Sequence, residues 1–373
     1  MTAVLRDAIR GGMAGRSQND TVAGESDRGM TAQTFEHLVV QVRGTVDARL
    51  QEWLRGRVAL ARTRGTTVAA VAEAVESLAL RGGKRLRAVL LAAAYEACGG
   101  EGGASAVVPA GVAIELLQAY LLIHDDWMDG DDVRRGGPSV PAMLRARLAE
   151  HADAASILAG DLARAWAQQA LLELELPAGR VLLAAREMAR AEEDVVEGQV
   201  LDVCAAPGDD RQVEAMHALK TASYTVRAPV LMGAILAGAA ERQVAALAAY
   251  AVPLGVAFQL RDDVLGTFGD AGATGKPSGG DLRTGKRTAL VVEAAKDARA
   301  VAAIARVAAS GEETSAAELA EALAAIESSG ARARVEARIA GLAAEARAAL
   351  AGAGLQTRGW LDGAVAALTE RER

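Results

Sequence analysis

The fold class this sequence predicts is all-α, one large helical bundle, and three observations predict it. Ala and Leu dominate while aromatic residues make up only 3% of the chain, so helix propensity is high almost everywhere. Apolar residues recur at helical spacing, with no alternating stretch bounded by hairpin signals. Gly, Pro and Asp punctuate the chain at irregular intervals, without a fixed repeat, which favours a bundle over a solenoid. At 373 residues the chain is long for one domain, yet a single helical domain accommodates it.

Residues 1–34 are rich in Gly, Ser, Asp and Arg and lack a sustained period, which reads as a flexible leader. The folded domain, 35–373, starts with the stripe Leu38, Val42, Val46, Leu50 and Leu54, a helix over Phe35–Leu60. Periodic stretches follow at 66–80, 84–98, 106–129, 139–149, 153–173, 178–204, 211–238, 241–268, 286–308, 315–326 and 331–350. A formal charge of -7 with mixed signs excludes a general nucleic-acid surface. Cys98 and Cys204 have neither disulfide nor zinc spacing and read as buried free thiols. No run of roughly 18 apolar residues is free of charge, and the N-terminus does not resemble a signal sequence, so a soluble cytoplasmic protein is expected.

Two segments carry chemistry. Ile114–Pro141 is an apolar helix that ends in acids and runs into a basic, glycine-rich turn. Asp125 and Asp129 are four residues apart and share one face, with Asp126 beside them. Like charges at the negative end of a helix repel unless a cation is supplied, and magnesium suits a site of one or two carboxylates completed by phosphate oxygens. The plainer account is an acid cluster screened by Arg134 and Arg135. Asp131 and Asp132 are either solvated or hold those arginines in place. Phe258–Leu290 repeats the pattern, with Asp262 and Asp263 ahead of a glycine-rich, basic loop. In a bundle two such helices can converge on one diphosphate.

Together with GGKRLR at Gly82–Arg87, these motifs make the chain resemble the trans-isoprenyl diphosphate synthase (polyprenyl synthetase) family from about Phe35 to the C-terminus, most closely its short-chain geranylgeranyl diphosphate synthases. The resemblance implies a helical bundle of the isoprenoid synthase type with a central cavity. It implies a magnesium-dependent prenyl transferase that joins isopentenyl diphosphate to an allylic diphosphate. Lys84, Arg87, Gln118 and Arg135 would bind the isopentenyl diphosphate and Arg134 the allylic one. Arginine offers a planar fork for phosphate, and lysine a compact charge. Asp125, Asp129 and Asp262 would ligate three magnesium ions, with Asp126, Asp263 and Asp281 in the outer shell. Lys220 and Thr221 of KTASYT, Gln259 and Lys276 match catalytic positions, and Lys286 is a further diphosphate contact.

One position departs from the family pattern: the second DDxxD has Gly266 where the last acid belongs. Gln199 and Asp202 match a helix that lines the pocket, or form a satisfied polar pair. Tyr120, five residues before Asp125, is the expected floor for the growing chain, and by family analogy points to a geranylgeranyl product. A homodimer is also implied. The alternatives are a farnesyl diphosphate synthase, a class I terpene cyclase, which has no need of the isopentenyl set, and a non-catalytic regulatory subunit of a heteromeric synthase, which only Gly266 favours.

Overall fold

The computed structural model describes residues 24–204, 218–269 and 279–370. The chain opens with α1 (Gly24–Thr63), α2 (Thr66–Leu80) and α3 (Leu86–Ala97), then a 3-10 turn (Gly103–Val107) leads into α4 (Val108–Asp129). A two-residue hairpin, β1 (Val133–Arg134) antiparallel to β2 (Gly137–Pro138), is the only strand pairing among the described residues. After it come α5 (Val140–Leu148), α6 (Ala152–Leu172), α7 (Ala178–Cys204), a π-helical segment (Ala218–Arg227) and α8 (Ala228–Ala237). The C-terminal part holds α9 (Glu241–Phe268), α10 (Gly280–Arg283), α11 (Ala289–Ala294), α12 (Ala298–Ser310), α13 (Ala316–Ser328), α14 (Ala331–Ala349) and α15 (Gly359–Thr369).

The architecture is all-α, as expected, and differs from the periodicity in four places. Helix α1 begins at Gly24, so helical backbone crosses the 34/35 boundary, although the first side chain described as buried is Phe35. A nucleated helix propagates without core contacts, which is why burial spacing does not locate its start. The stretch 286–308 is two helices, because Asp297 accepts from the amides of Arg299 and Ala300 at 2.8 and 3.0 Å and starts a new N-terminus. Helix α15 follows the last stretch read as periodic; Leu361, Val365 and Leu368 bury its face against α1. The segment leading into α8 is π-helical, a widening that apolar spacing does not register.

Two hydrophobic cores result. The larger joins α1 to α8 with the first half of α9, α14 and α15. The smaller gathers the second half of α9 with α10 to α14. Helix α9 passes from one to the other near Pro253, where the missing amide removes one intrahelical hydrogen bond. Residues Gly103–Asp129 and Glu241–Phe268 are apolar and long enough to span a membrane, yet 67% and 50% of their apolar windows are buried inside the protein. They are the helices around which the cores form, and both end in the acidic motifs.

The N-terminal helices are tied by aromatic and ionic contacts. Trp53 of α1 meets Trp166 of α6 edge-on at 5.8 Å and donates to Glu173 at 2.8 Å. Deeper in, Arg85 at the start of α3 donates to Asp47 at 2.7 Å, to Glu115 of α4 at 2.9 Å and to the Ala79 carbonyl at 2.8 Å. The Arg85 and Glu115 side chains are 1% and 2% exposed, so this pair holds α1, α3 and α4 together in a dry environment. Arg85→Ala strands a buried carboxylate and is expected to cost about 3–5 kcal/mol of stability. Urea denaturation checks this, and replacing Arg85 and Glu115 together by apolar residues is expected to recover most of the loss.

Candidate active site

Helix α4 stops where its acids begin to crowd. Gly130 takes φ 71, and the Asp131 amide donates to the Asp126 carbonyl at 2.9 Å, closing the helix. The turn then returns Arg134 to the helix end. Its Nε donates to Asp126 at 2.6 Å and its Nη2 to Asp131 at 2.9 Å, with Asp125 at 3.6 Å. Asp126 is fully buried; burial pushes its carboxyl up, against the pull of Arg134. Its Oδ2 has no hydrogen-bond partner in the structure. Burial pulls Arg134 down, but its bond to Asp126 and the surrounding carboxylates leave its net shift upward. Asp132 pairs with Arg145, so both acids past Gly130 hold arginines. Asp125 is half-buried and Asp129 exposed at the surface.

Arg135, at φ 52 in the same turn, faces the other way and donates to the Arg81 carbonyl at 3.2 Å. Arg81 in return donates to the Arg134 carbonyl at 2.9 Å. Burial pulls both Arg81 and Arg135 below the ordinary arginine value, and Arg85 and Arg87 add to the effect at Arg135. Arg81 was not singled out by sequence, since it precedes the glycines of the motif; its packing on the hairpin was not readable there. Arg87 donates to Thr225 at 2.8 Å and lies 4.3 Å over the Tyr224 ring. Arg87 Nε and Arg81 Nη2 are buried without hydrogen-bond partners. Buried guanidinium donors left open are costly, and an anion bound among them would relieve the cost. Lys84 is exposed and Gln118 half-buried on an otherwise buried stretch of α4.

The π-helical segment carries Tyr224 and Thr225 and packs against α7 and α9. Arg227 fixes its end, meeting Glu187 at 3.0 Å and Asp194 at 3.2 Å on α7. Lys220 and Thr221 sit on its backbone, but their side chains are outside the described set, and Lys276 lies outside the described residues altogether. On α9, Asp263 is buried and both its oxygens accept protein hydrogen bonds, from Gln259 at 2.9 Å and from the Ala289 amide at 3.1 Å. Asp263 therefore also docks α11 onto α9, a task its position in an acidic pair did not reveal. Asp262 and Asp281 are half-buried and Lys286 is exposed. A Cβ on Gly266 would lie 2.3 Å from Asp281 Oδ2. The Asp281 carboxylate thus fills the space of the side chain that Gly266 lacks.

Beside Asp125 a cavity of about 380 Å³ runs between α4 and α7, lined by Tyr120, Leu121, His124, Val195, Val196 and Gln199 among others. Tyr224 is also part of its wall, so one ring faces the cavity and carries Arg87. Cys204, expected to be buried, is instead exposed at the cavity rim, whereas Cys98 is half-buried. Among the described residues no group of three or more His, Cys, Asp or Glu side chains is arranged to hold a metal ion by itself.

The family model described as Polyprenyl synthetase matches residues 68–326. A short chain isoprenyl diphosphate synthase of Methanocaldococcus jannaschii is 36% identical over 226 residues, covering 60% of this chain and 65% of the relative. A geranylgeranyl diphosphate synthase of Mycobacterium tuberculosis is 38% identical over 232 residues, 59% of this chain and 61% of the relative. The alignments thus span a little under two thirds of these relatives. The crystal structure of geranylgeranyl pyrophosphate synthase from Corynebacterium glutamicum, complexed with isoprenyl diphosphate and magnesium, is similar with a TM-score of 0.79 and 32% identity, covering 89% of this chain and 99% of that one.

The two thiols give a direct check on the cavity. Burial pushes the Cys98 thiol up to about 11, from an ordinary value of 9.0. The stability its neutral form contributes is complete below the ordinary value and is lost as pH rises through the folded one. Iodoacetamide at neutral pH is expected to label Cys204 and leave Cys98 intact, with peptide mass spectrometry as the readout.

Proposed function

The chain belongs to the polyprenyl synthetase family, and from that premise we propose that it is a short-chain trans-prenyl transferase that joins isopentenyl diphosphate to an allylic diphosphate, with geranylgeranyl diphosphate as its product. The observation that carries this reading is the joined arrangement of apolar and charged surfaces. One cavity has Asp125 and Tyr120 in its wall, and its Tyr224 ring backs onto Arg87. Space for a growing hydrocarbon therefore adjoins open cationic donors suited to a diphosphate.

Arg81, Arg87 and Arg135 would take the isopentenyl diphosphate, with Lys84 and Gln118 at the edge of the same layer. Arg81 and Arg87 supply donors that have no protein acceptor. Asp125, Asp129 and Asp262 would suit a hard divalent ion, since carboxylates are its preferred donors and an oxygen of Asp126, next to Asp125 on α4, lacks a partner. Without three acids converging, an ion here would be completed by the substrate's own phosphate oxygens. Magnesium, when bound, supplies positive charge that stabilises the departing pyrophosphate. Arg134 holds Asp125 and Asp126 in place and would contact the allylic diphosphate, as the family resemblance implies. By resemblance to the family, Lys220, Lys276 and Lys286 would add positive charge, and Thr221 a hydroxyl, to the contacts of the leaving group, which strengthens binding as charge develops. Gln259, held by Asp263, stands where the second acidic pair begins.

In the reaction the allylic carbon–oxygen bond breaks and pyrophosphate departs. The isopentenyl double bond attacks the allylic cation, forming a carbon–carbon bond, and the released pyrophosphate takes up the proton whose loss restores a double bond. Exclusion of water by the apolar cavity keeps the cation from being hydrolysed. Gly266 does not favour a regulatory subunit, because Asp281 occupies the vacated space. We also place the protein among soluble, cytoplasmic homodimers: its long apolar helices bury much of their apolar surface internally, and Leu158 and Leu172 on α6 and Leu182 on α7 remain 61%, 69% and 55% exposed.

Incubation of the purified protein with isopentenyl diphosphate, magnesium and each of dimethylallyl, geranyl and farnesyl diphosphate is expected to give geranylgeranyl diphosphate. Asp125→Ala is expected to lose at least about a hundredfold in rate while its thermal melt is retained; an unchanged rate would remove Asp125 from the site. Gly266→Asp, which restores the family acid, is expected to lower activity and raise the magnesium concentration needed for half-maximal rate, because its Cβ collides with Asp281.

A further inference from the structure

Tyr120 stands one helical turn before His124 on α4, and both line the cavity. His124 Nε2 lies 2.9 Å from the Ile157 carbonyl of α6, and its ring sits against Gly160, where a Cβ would lie 2.2 Å away. This contact fixes the register of α4 on α6. One turn back along α4 is Tyr120, and one turn on along α6 is Arg164. On α7 the cavity wall begins at Val195 and Val196, and about one turn before them stands Glu192. Glu192 is 7% exposed and forms an ion pair with Nε of Arg164, whose side chain is 48% exposed and so carries the pair out to solvent. Neither residue is part of the cavity wall, whereas Tyr120 is. Burial raises the Tyr120 phenol, Glu192 adds to the rise and Arg164 opposes it.

We propose that product length is set by a two-layer stop, in which the Tyr120 ring of α4 is backed by the Arg164–Glu192 ion pair that ties α6 to α7. The proposal rests on the transferase reading and deepens it by naming two specificity-determining residues away from the acidic motif. The branched hydrocarbon end of a prenyl chain packs well against an aromatic ring. It cannot hydrogen-bond, so reaching the second layer means displacing solvation from a charged pair with nothing offered in return. A floor made by Tyr120 alone would open into further apolar space once the ring is removed. A floor backed by ions opens only as far as the ions.

The test compares the products of the full-length protein supplied with farnesyl and isopentenyl diphosphates and magnesium. Wild type is expected to stop at geranylgeranyl diphosphate, and Tyr120→Ala to move the longest product by about one isoprene unit. Adding Arg164→Leu and Glu192→Leu to Tyr120→Ala is expected to move it by two units or more, while those two substitutions with Tyr120 retained leave the length unchanged. Thermal melts establish that each variant is folded. Should the leucine pair fail to fold, Arg164→Met with Glu192→Gln in the Tyr120→Ala background keeps similar volumes, and is expected still to exceed Tyr120→Ala in product length. If Tyr120→Ala alone gives the long products, or if neutralising the pair adds nothing to it, the ionic layer is overturned. No prenyl product from wild type would instead overturn the transferase reading on which the proposal rests. A geranylgeranyl product from wild type and every variant would keep that reading and discard the stop.

Discussion

The contact between Arg134 and Asp126 organises both charged layers of the site. Asp126 is fully buried at the end of α4, and without a cation there its ionised form would be strongly disfavoured. Arg134 provides that cation, and to reach it the chain must reverse at Gly130 and form the short hairpin. The reversal turns Arg135 toward Arg81: Arg135 donates to the Arg81 carbonyl, and Arg81 donates to the Arg134 carbonyl in the hairpin. A single buried ion pair thus orders the acids on one side and sends the guanidiniums to the other. Such a pair contributes little net stability, because desolvation offsets most of the attraction. Its effect here is geometric: it fixes the returning turn against the end of α4.

That arrangement also explains why groups which look interchangeable in the sequence separate in the fold. Arg85 and Arg87 are two residues apart in one motif. Arg85 is consumed by Asp47 and Glu115 and holds three helices, whereas Arg87 retains a buried donor with no partner. Asp262 and Asp263 are adjacent, yet Asp263 turns inward to Gln259 and the Ala289 amide. In each pair, one member builds the scaffold that aims the other. Asp262 and Asp263 are successive on α9 and differ by about 100° in direction, so one faces the core when its neighbour does not, whereas Arg85 precedes α3 at φ 48 and Arg87 lies inside it.

Most of the helical order was legible because burial imposes a 3.6-residue period, and Leu38, Val42, Val46 and Leu50 carry it plainly. The acids were legible for a different reason: crowded charge at a helix end is unfavourable enough to demand an explanation. What remained hidden depends on neighbours distant in the chain. The exposure of Cys204, the role of Arg81 and the π-helical placement of Tyr224 have no local signature. Small residues are the clearest case. Gly160, Gly233 and Gly266 each accommodate another residue at a distance no side chain would permit: His124, the Leu91 carbonyl and Asp281 respectively. A glycine announces that something approaches without saying what.

Gly266 shows how that uncertainty bears on a site. Read along the chain, it removes one carboxylate from an acidic motif that still keeps Asp262 as a ligand, a tolerated departure. In space the deletion is what admits the Asp281 carboxylate to the same location. The number of acids facing that part of α9 is therefore better judged from volume than from motif. A helix position can be filled from its own Cβ or from a neighbouring loop, and the two are mutually exclusive because protein interiors are close-packed. Sequence patterns count side chains by where they are attached, while the chemistry of a site depends on where their ends meet. For this chain the difference decides whether the second acidic cluster is incomplete or merely assembled from two segments.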